Sequence, residues 1–78
     1  MSDAPSRLPN AEEVTRSFIC ETLGFLNVSA DISQLYCQSG DDAGLHYQLK
    51  RMVGQLRAAT ASYKELAAFV NSRDGGAE

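Results

Sequence analysis

Only two cysteines, Cys20 and Cys37, and a single histidine, His46, occur among the 78 residues, so two of the devices that usually hold small domains together have little to work with. A zinc site needs about four Cys, His or carboxylate ligands at close spacing. The sequence offers no such cluster, and neither a metal nor a cofactor is expected. A bridge between Cys20 and Cys37 is conceivable if two helices bring them side by side, but the expectation is two free, half-buried thiols. The chain opens Met-Ser-Asp-Ala-Pro, without the basic stretch and apolar run of a secretory signal. This points to a reducing cytoplasm. No apolar stretch approaches the ~18–20 residues needed to cross a bilayer, so no membrane span is expected.

Catalytic patterns are missing as well. The glycines follow apolar runs and form neither GxxxxGKS/T nor GxGxxG, so no phosphate-binding loop is present. Asp41-Asp42 lacks the spaced oxygen ligands and the terminal Glu of a calcium loop, and helix capping accounts for the pair. His46 is the only imidazole, and near the start of the last apolar run it reads as a boundary packing residue at the edge of an apolar face. The expectation is a protein that is not an enzyme.

What the chain does have is helical spacing. Both prolines lie in the first ten residues. Residues 1–10 and 74–78 are too polar, Pro-containing or Gly-rich to contribute to a core, leaving 11–73 as one helical domain between disordered ends. A first helix is expected after Asn10, a good N-cap with Glu13 placed to complete a capping box. Its apolar positions Val14, Phe18, Ile19, Thr22, Leu23, Phe25 and Leu26 cover nearly half the circumference, wide for one packing partner. Gly24 could end this helix or sit in a last turn reaching Asn27. A short second helix is expected from Ala30 to Ser39, capped by Ser29 and stopped by Gly40, with Ile32, Leu35 and Tyr36 on one face.

The third helix, from Asp41-Asp42 to about Ser72, carries the clearest pattern. Leu45, Leu49, Met52, Leu56, Ala59, Tyr63, Leu66 and Val70 recur at spacings of 4 and 3, an apolar ridge that reads as one side of a helical hairpin or small bundle. The flanking rows, His46, Val53, Thr60 and Ala67 on one side and Gln48, Gln55, Ser62 and Phe69 on the other, contain no formal charge. A two-stranded zipper would normally place Glu or Lys there. The expected fold is therefore all-α, a helical hairpin or three-helix bundle with one long C-terminal helix, completed by oligomerisation. A core of about sixty residues rarely leaves more than ~3–5 kcal/mol of net stability, which argues for added burial against another chain.

Charge is segregated along the chain. Residues 1–42 carry two basic and seven acidic side chains, and residues 43–78 carry five basic and three acidic. Lys50, Arg57 and Lys64 are spaced by seven, with Arg51 beside the first, giving a basic strip next to the ridge. Such a strip complements the acidic first half of the same chain or of a twin, or orients an acidic partner. With a net charge of −3 and few clustered cations, nucleic-acid binding is the weaker reading, because phosphate affinity needs many Lys and Arg contacts.

These features point to a small adaptor, inhibitor or chaperone acting on another protein, as a homodimer or in a hetero-complex. Leu49, Met52, Leu56, Tyr63, Leu66 and Val70 are its expected apolar anchors. Phe18 and Phe25 join them on the first helix. Tyr47, opposite the ridge and next to Lys50 and Arg51, is an exposed contact point, and Arg57 and Lys64 continue the strip. In this reading Leu56→Asp destroys fold and association together.

Overall fold

A computed structural model of the chain describes residues 10–75, which form two α-helices, α1 (Ala11–Ser39) and α2 (Asp42–Gly75). Among the described residues there is no strand. Of the two end segments expected to stay outside the core, 1–9 and 76–78 lie outside the described residues.

Local chemistry sets the helix ends. The Glu13 N–H donates to Asn10 Oδ1 at 2.8 Å, and the Asn10 N–H donates to Glu13 Oε1 at 3.1 Å. Both partners of the capping box are thus in place. Glu12 and Glu13 in the first turn also favour the positive end of the helix dipole. At the other end Gly40 adopts φ 76°, a left-handed conformation that costs an L-residue with a Cβ about 1–2 kcal/mol. This lets the Asp41 N–H reach the Tyr36 carbonyl at 3.0 Å. Asp41 then caps α2, its Oδ1 accepting the Gly44 N–H at 2.9 Å. Two residues reverse the chain, and the helices lie antiparallel as an αα-hairpin.

The break expected between Gly24 and Ser29 does not occur. The first and second helices are one continuous element, so the hairpin form of the expected fold is observed and the three-helix form is not. Gly24 has open space around its Cβ position and costs about 1 kcal/mol relative to Ala inside a helix. That cost is offset by an unbroken packing row: Thr15, Ile19, Thr22, Leu26, Ser29, Ser33 and Tyr36, spaced 4 and 3, are buried or half-buried toward α2, with Ala30 and Ile32 half-buried at its two edges. Ser29 is therefore a mid-helix contact and not a cap. Its hydroxyl meets Gln55 Oε1 at 3.4 Å.

The facing row on α2 is Leu45, Gln48, Met52, Gln55, Ala59, Ser62 and Leu66. This differs from the ridge read in the sequence. Leu45, Met52, Ala59 and Leu66 do turn inward, but the other half of the ridge turns out, and Gln48, Gln55 and Ser62 take its place. Small and hydroxylated residues let the helices approach while keeping their polar groups satisfied. Thr22 Oγ1 donates to the Phe18 carbonyl at 2.8 Å and Ser33 Oγ to the Ser29 carbonyl at 2.7 Å, with Met52 Sδ at 3.6 Å. Gly44 permits a close approach of a different kind: a Cβ there would lie 2.8 Å from Tyr36 Cε1, so the ring rests directly on the start of α2.

One polar atom in this seam is buried without a hydrogen bond among the described residues, Gln48 Oε1. An orphaned buried acceptor costs about 1–3 kcal/mol. Gln48→Leu is expected to stabilise the hairpin by about 1 kcal/mol, read as a higher midpoint in thermal or urea unfolding monitored by circular dichroism. A lower midpoint would mean that the amide has a partner essential to the seam.

Candidate protein-interaction surface

A hairpin gives each helix one neighbour, and a helix with a wide apolar arc must then leave apolar rows outside. Among the described residues only Ala59 and Leu66 form buried apolar core, while twelve large apolar side chains are exposed. This reverses the usual economy of a small fold, in which the seam is apolar and the outside polar. The inward row is rich in Ser, Thr and Gln, and the outward rows in Leu, Val and Phe.

At 100° per residue, the outward side chains fall on two opposite faces of the flat hairpin. The first face carries Leu49, Val53, Leu56 and Tyr63 of α2 alongside Leu23, Ala30 and Cys37 of α1. Leu49, Leu56 and Tyr63 are 47%, 55% and 60% exposed. The second face carries Val14, Phe18, Phe25, Val28 and Leu35 of α1, with Ala58 and Glu65 of α2 beside them. A groove lined by Ala11 and Phe69 with Ser72 opens on this second face near the helix ends, in agreement with the register.

The two faces differ in charge. On the first, the positions from Cys20 to Cys37 on α1 and from His46 to Val70 on α2 include no charged side chain, and the Arg16 and Glu12 pair continues the α1 side of the face beyond them. The second is interrupted by Glu21, Arg51 and Glu65. Charge depletion at the centre of a patch is the compositional mark of a protein interface, and bulk hydrophobicity is not.

The basic residues border the first face. Lys50, Arg57 and Lys64 run along the back of α2, opposite the seam, and all three are exposed. Arg57 and Lys64 share a surface groove with Val53, Leu56, Thr60 and Ala61, so cationic heads and apolar side chains line one depression. Tyr47 is exposed and shares a second groove with Ala43, His46, Lys50 and Arg51.

The structure thus divides the expected contact residues. Leu49, Leu56, Tyr63, Tyr47, Lys50, Arg51, Arg57 and Lys64 lie at the surface of α2, and Phe18 and Phe25 lie exposed on the second face of α1. Leu66 is buried and Met52 and Val70 are half-buried. Leu66 and Met52 belong to the hairpin's own seam, because the inward row is turned by about half a heptad position from the ridge centre. The outward rows also include Val53, on the first face, and Val28, on the second, which sequence reasoning left out. Val53 stood in a flanking row and Val28 in an assumed loop. A continuous 4-3 count through residue 28 is the signal that would have found the latter.

Cys20 and Cys37 are free, and they are exposed where half-burial was expected. Seventeen residues of one helix separate them by about 25 Å, far beyond the roughly 7 Å limit between Cα atoms for a disulfide within the chain. The open end of the hairpin is tied by Arg73, whose Nη1 lies 2.9 and 3.0 Å from the two carboxylate oxygens of Glu12. The guanidinium is largely exposed, so this ion pair contributes at most about 1 kcal/mol. No helix of the described residues is long and apolar enough to cross a membrane.

Comparison of the chain with protein-family models, with curated proteins and with solved structures gives no match.

Proposed function

We propose that this protein is a non-catalytic interaction module, an adaptor, inhibitor or chaperone in the broad sense, that presents the charge-free face of its hairpin to another polypeptide. The observation that carries the reading is the outward turn of Leu49, Leu56 and Tyr63 beside a basic border. An apolar row of this kind is stable in water only at a continuing cost of about 25 cal/mol per Å² left uncovered. Covering it by a helix or by a second helical layer follows the helix-in-groove and bundle modes of recognition. Lys50, Arg57 and Lys64 would raise the association rate and fix orientation more than they would add affinity.

The charge-reversed variant Lys50→Glu with Arg57→Glu tests the border. All affected side chains are exposed, so helicity should be unchanged, while binding to a partner protein identified by capture should weaken about tenfold and lose its salt dependence. Equal affinity of variant and parent would remove the basic border from the site.

The row of three exposed cations supports a second reading, an accessory role on nucleic acid. Binding to random duplex DNA in a salt series separates the two. Micromolar affinity falling steeply with salt favours nucleic acid, and no binding at low salt disposes of it.

A further inference from the structure

We infer that the occupant of the charge-free face is a second copy of this chain, packed about a twofold axis parallel to the helices so that α2 of one copy lies on α1 of the other. This rests on the reading of that face as an interaction surface and names its partner. Two arrangements bring the same face of two hairpins together. An axis across the helices sets α1 on α1 and α2 on α2. An axis along them sets α1 on α2 in both halves of a closed four-helix bundle, with both turns at one end.

Charge selects the second arrangement. Away from the second face, α1 carries Glu12, Glu13 and Asp31 against one Arg16, and the border of α2 carries Lys50, Arg57 and Lys64. Like helices stacked on like would repel along their length, whereas α1 on α2 sets unlike charges together.

Shape selects it too. An axis along the helices preserves height, so each α2 residue meets, in the second copy, the α1 residues at its own level in the hairpin. Ser29 stands level with Gln55, and Ser33 with Met52. Leu56 therefore comes down beside Ala30, Leu49 beside Cys37 and Tyr63 beside Leu23. At the first two of these levels a large side chain of α2 meets a small one of α1, the alternation that lets facing layers interdigitate. Asp31 of the second copy arrives at the level of Gly54, between Lys50 and Arg57, so the exposed carboxylate and the basic border complement each other. With the axis across the helices, Leu56 would instead oppose large residues of the same row, and Ala30 would face small ones across a gap.

The area is sufficient. The whole face, two helices wide and about 40 Å long with Arg16 and Glu12 at one end, presents roughly 800 Å² from each copy, the standard size for a specific interface. The same pairing leaves the second face, with Phe18 and Phe25, outside the bundle.

Sedimentation of the unmodified chain at micromolar concentration, together with directed disulfide formation, tests the proposal. The chain should sediment at twice its 8.4 kDa mass. Two single-cysteine chains are then made with Cys20 and Cys37 replaced by Ser, one carrying Leu56→Cys and the other Ala30→Cys, each checked for helicity by circular dichroism. Mixed and oxidised, they should yield mainly the Leu56→Cys to Ala30→Cys heterodimer, because those positions come within disulfide reach. A monomer in sedimentation would overturn the proposal, and so would a product dominated by Leu56→Cys joined to itself. Neither result would touch the broader interaction reading if the parent chain still bound another protein through Leu56.

Discussion

Leu56→Asp is expected to leave most of the chain's helicity in place and to weaken association through the charge-free face by about 3 kcal/mol, roughly a hundredfold. Leu56 is more than half exposed and makes its outward contacts on the side away from the seam. A carboxylate there remains hydrated in the separate hairpin, so little within the chain opposes it. In a covered interface the same group loses most of its water, and the neighbouring Arg57 and Lys64 offset only part of that cost. Circular dichroism reads the first effect, and sedimentation or partner titration reads the second. Loss of helix in this variant at the rate expected for a core substitution would show that Leu56 faces α1, as the sequence alone suggests. Retained association would remove the face from the function.

Ala59→Asp, three residues further along the same ridge, should do the reverse. Ala59 is 6% exposed and sits in mid-seam at the level of Leu26, where no cation stands on the facing row of α1. A charge buried there without a partner destabilises by several kcal/mol. A single seam of this size holds a net stability of about the same magnitude. The expected result is general loss of helix at neutral pH, not a local defect, since among the described residues each helix packs within the chain on the other alone. The pair of variants measures the phase of α2 directly: if Ala59→Asp is folded and Leu56→Asp is not, the seam is turned from where the structure places it.

That phase was the part of the fold the sequence could not convey. Asn10 with Glu13, Gly40 and Asp41 announced the helix ends correctly because capping and left-handed termination are decided within a few residues. The antiparallel hairpin followed from the shortness of the turn. Gly24 and the Asn27-Val28-Ser29 stretch suggested a break, because local propensity disfavours helix there. The packing of Thr22, Leu26, Ser29 and Ser33 along one continuous row overrides it. On α2, Leu45 and Leu49 are equally apolar, as are Met52 and Leu56, so periodicity located a ridge but could not say which flank of it faces inward. The decision lies in contacts such as Ser29 with Gln55, which join residues 26 positions apart and leave no trace in local spacing. The basic border was legible, since long cationic side chains flanking an apolar row keep their heads in water wherever the row itself points.

The tyrosine seated on Gly44 has a mechanical consequence. Near the turn, Tyr36 fills the space any side chain at position 44 would need, and the Gly40-Asp41 reversal holds the helices at that spacing. At the far end, among the described residues, an exposed guanidinium, that of Arg73, meets Glu12 across the arms. The bend is therefore the fixed point of the pair, and beyond it the arms are held by the seam itself, through Ala59 and Leu66.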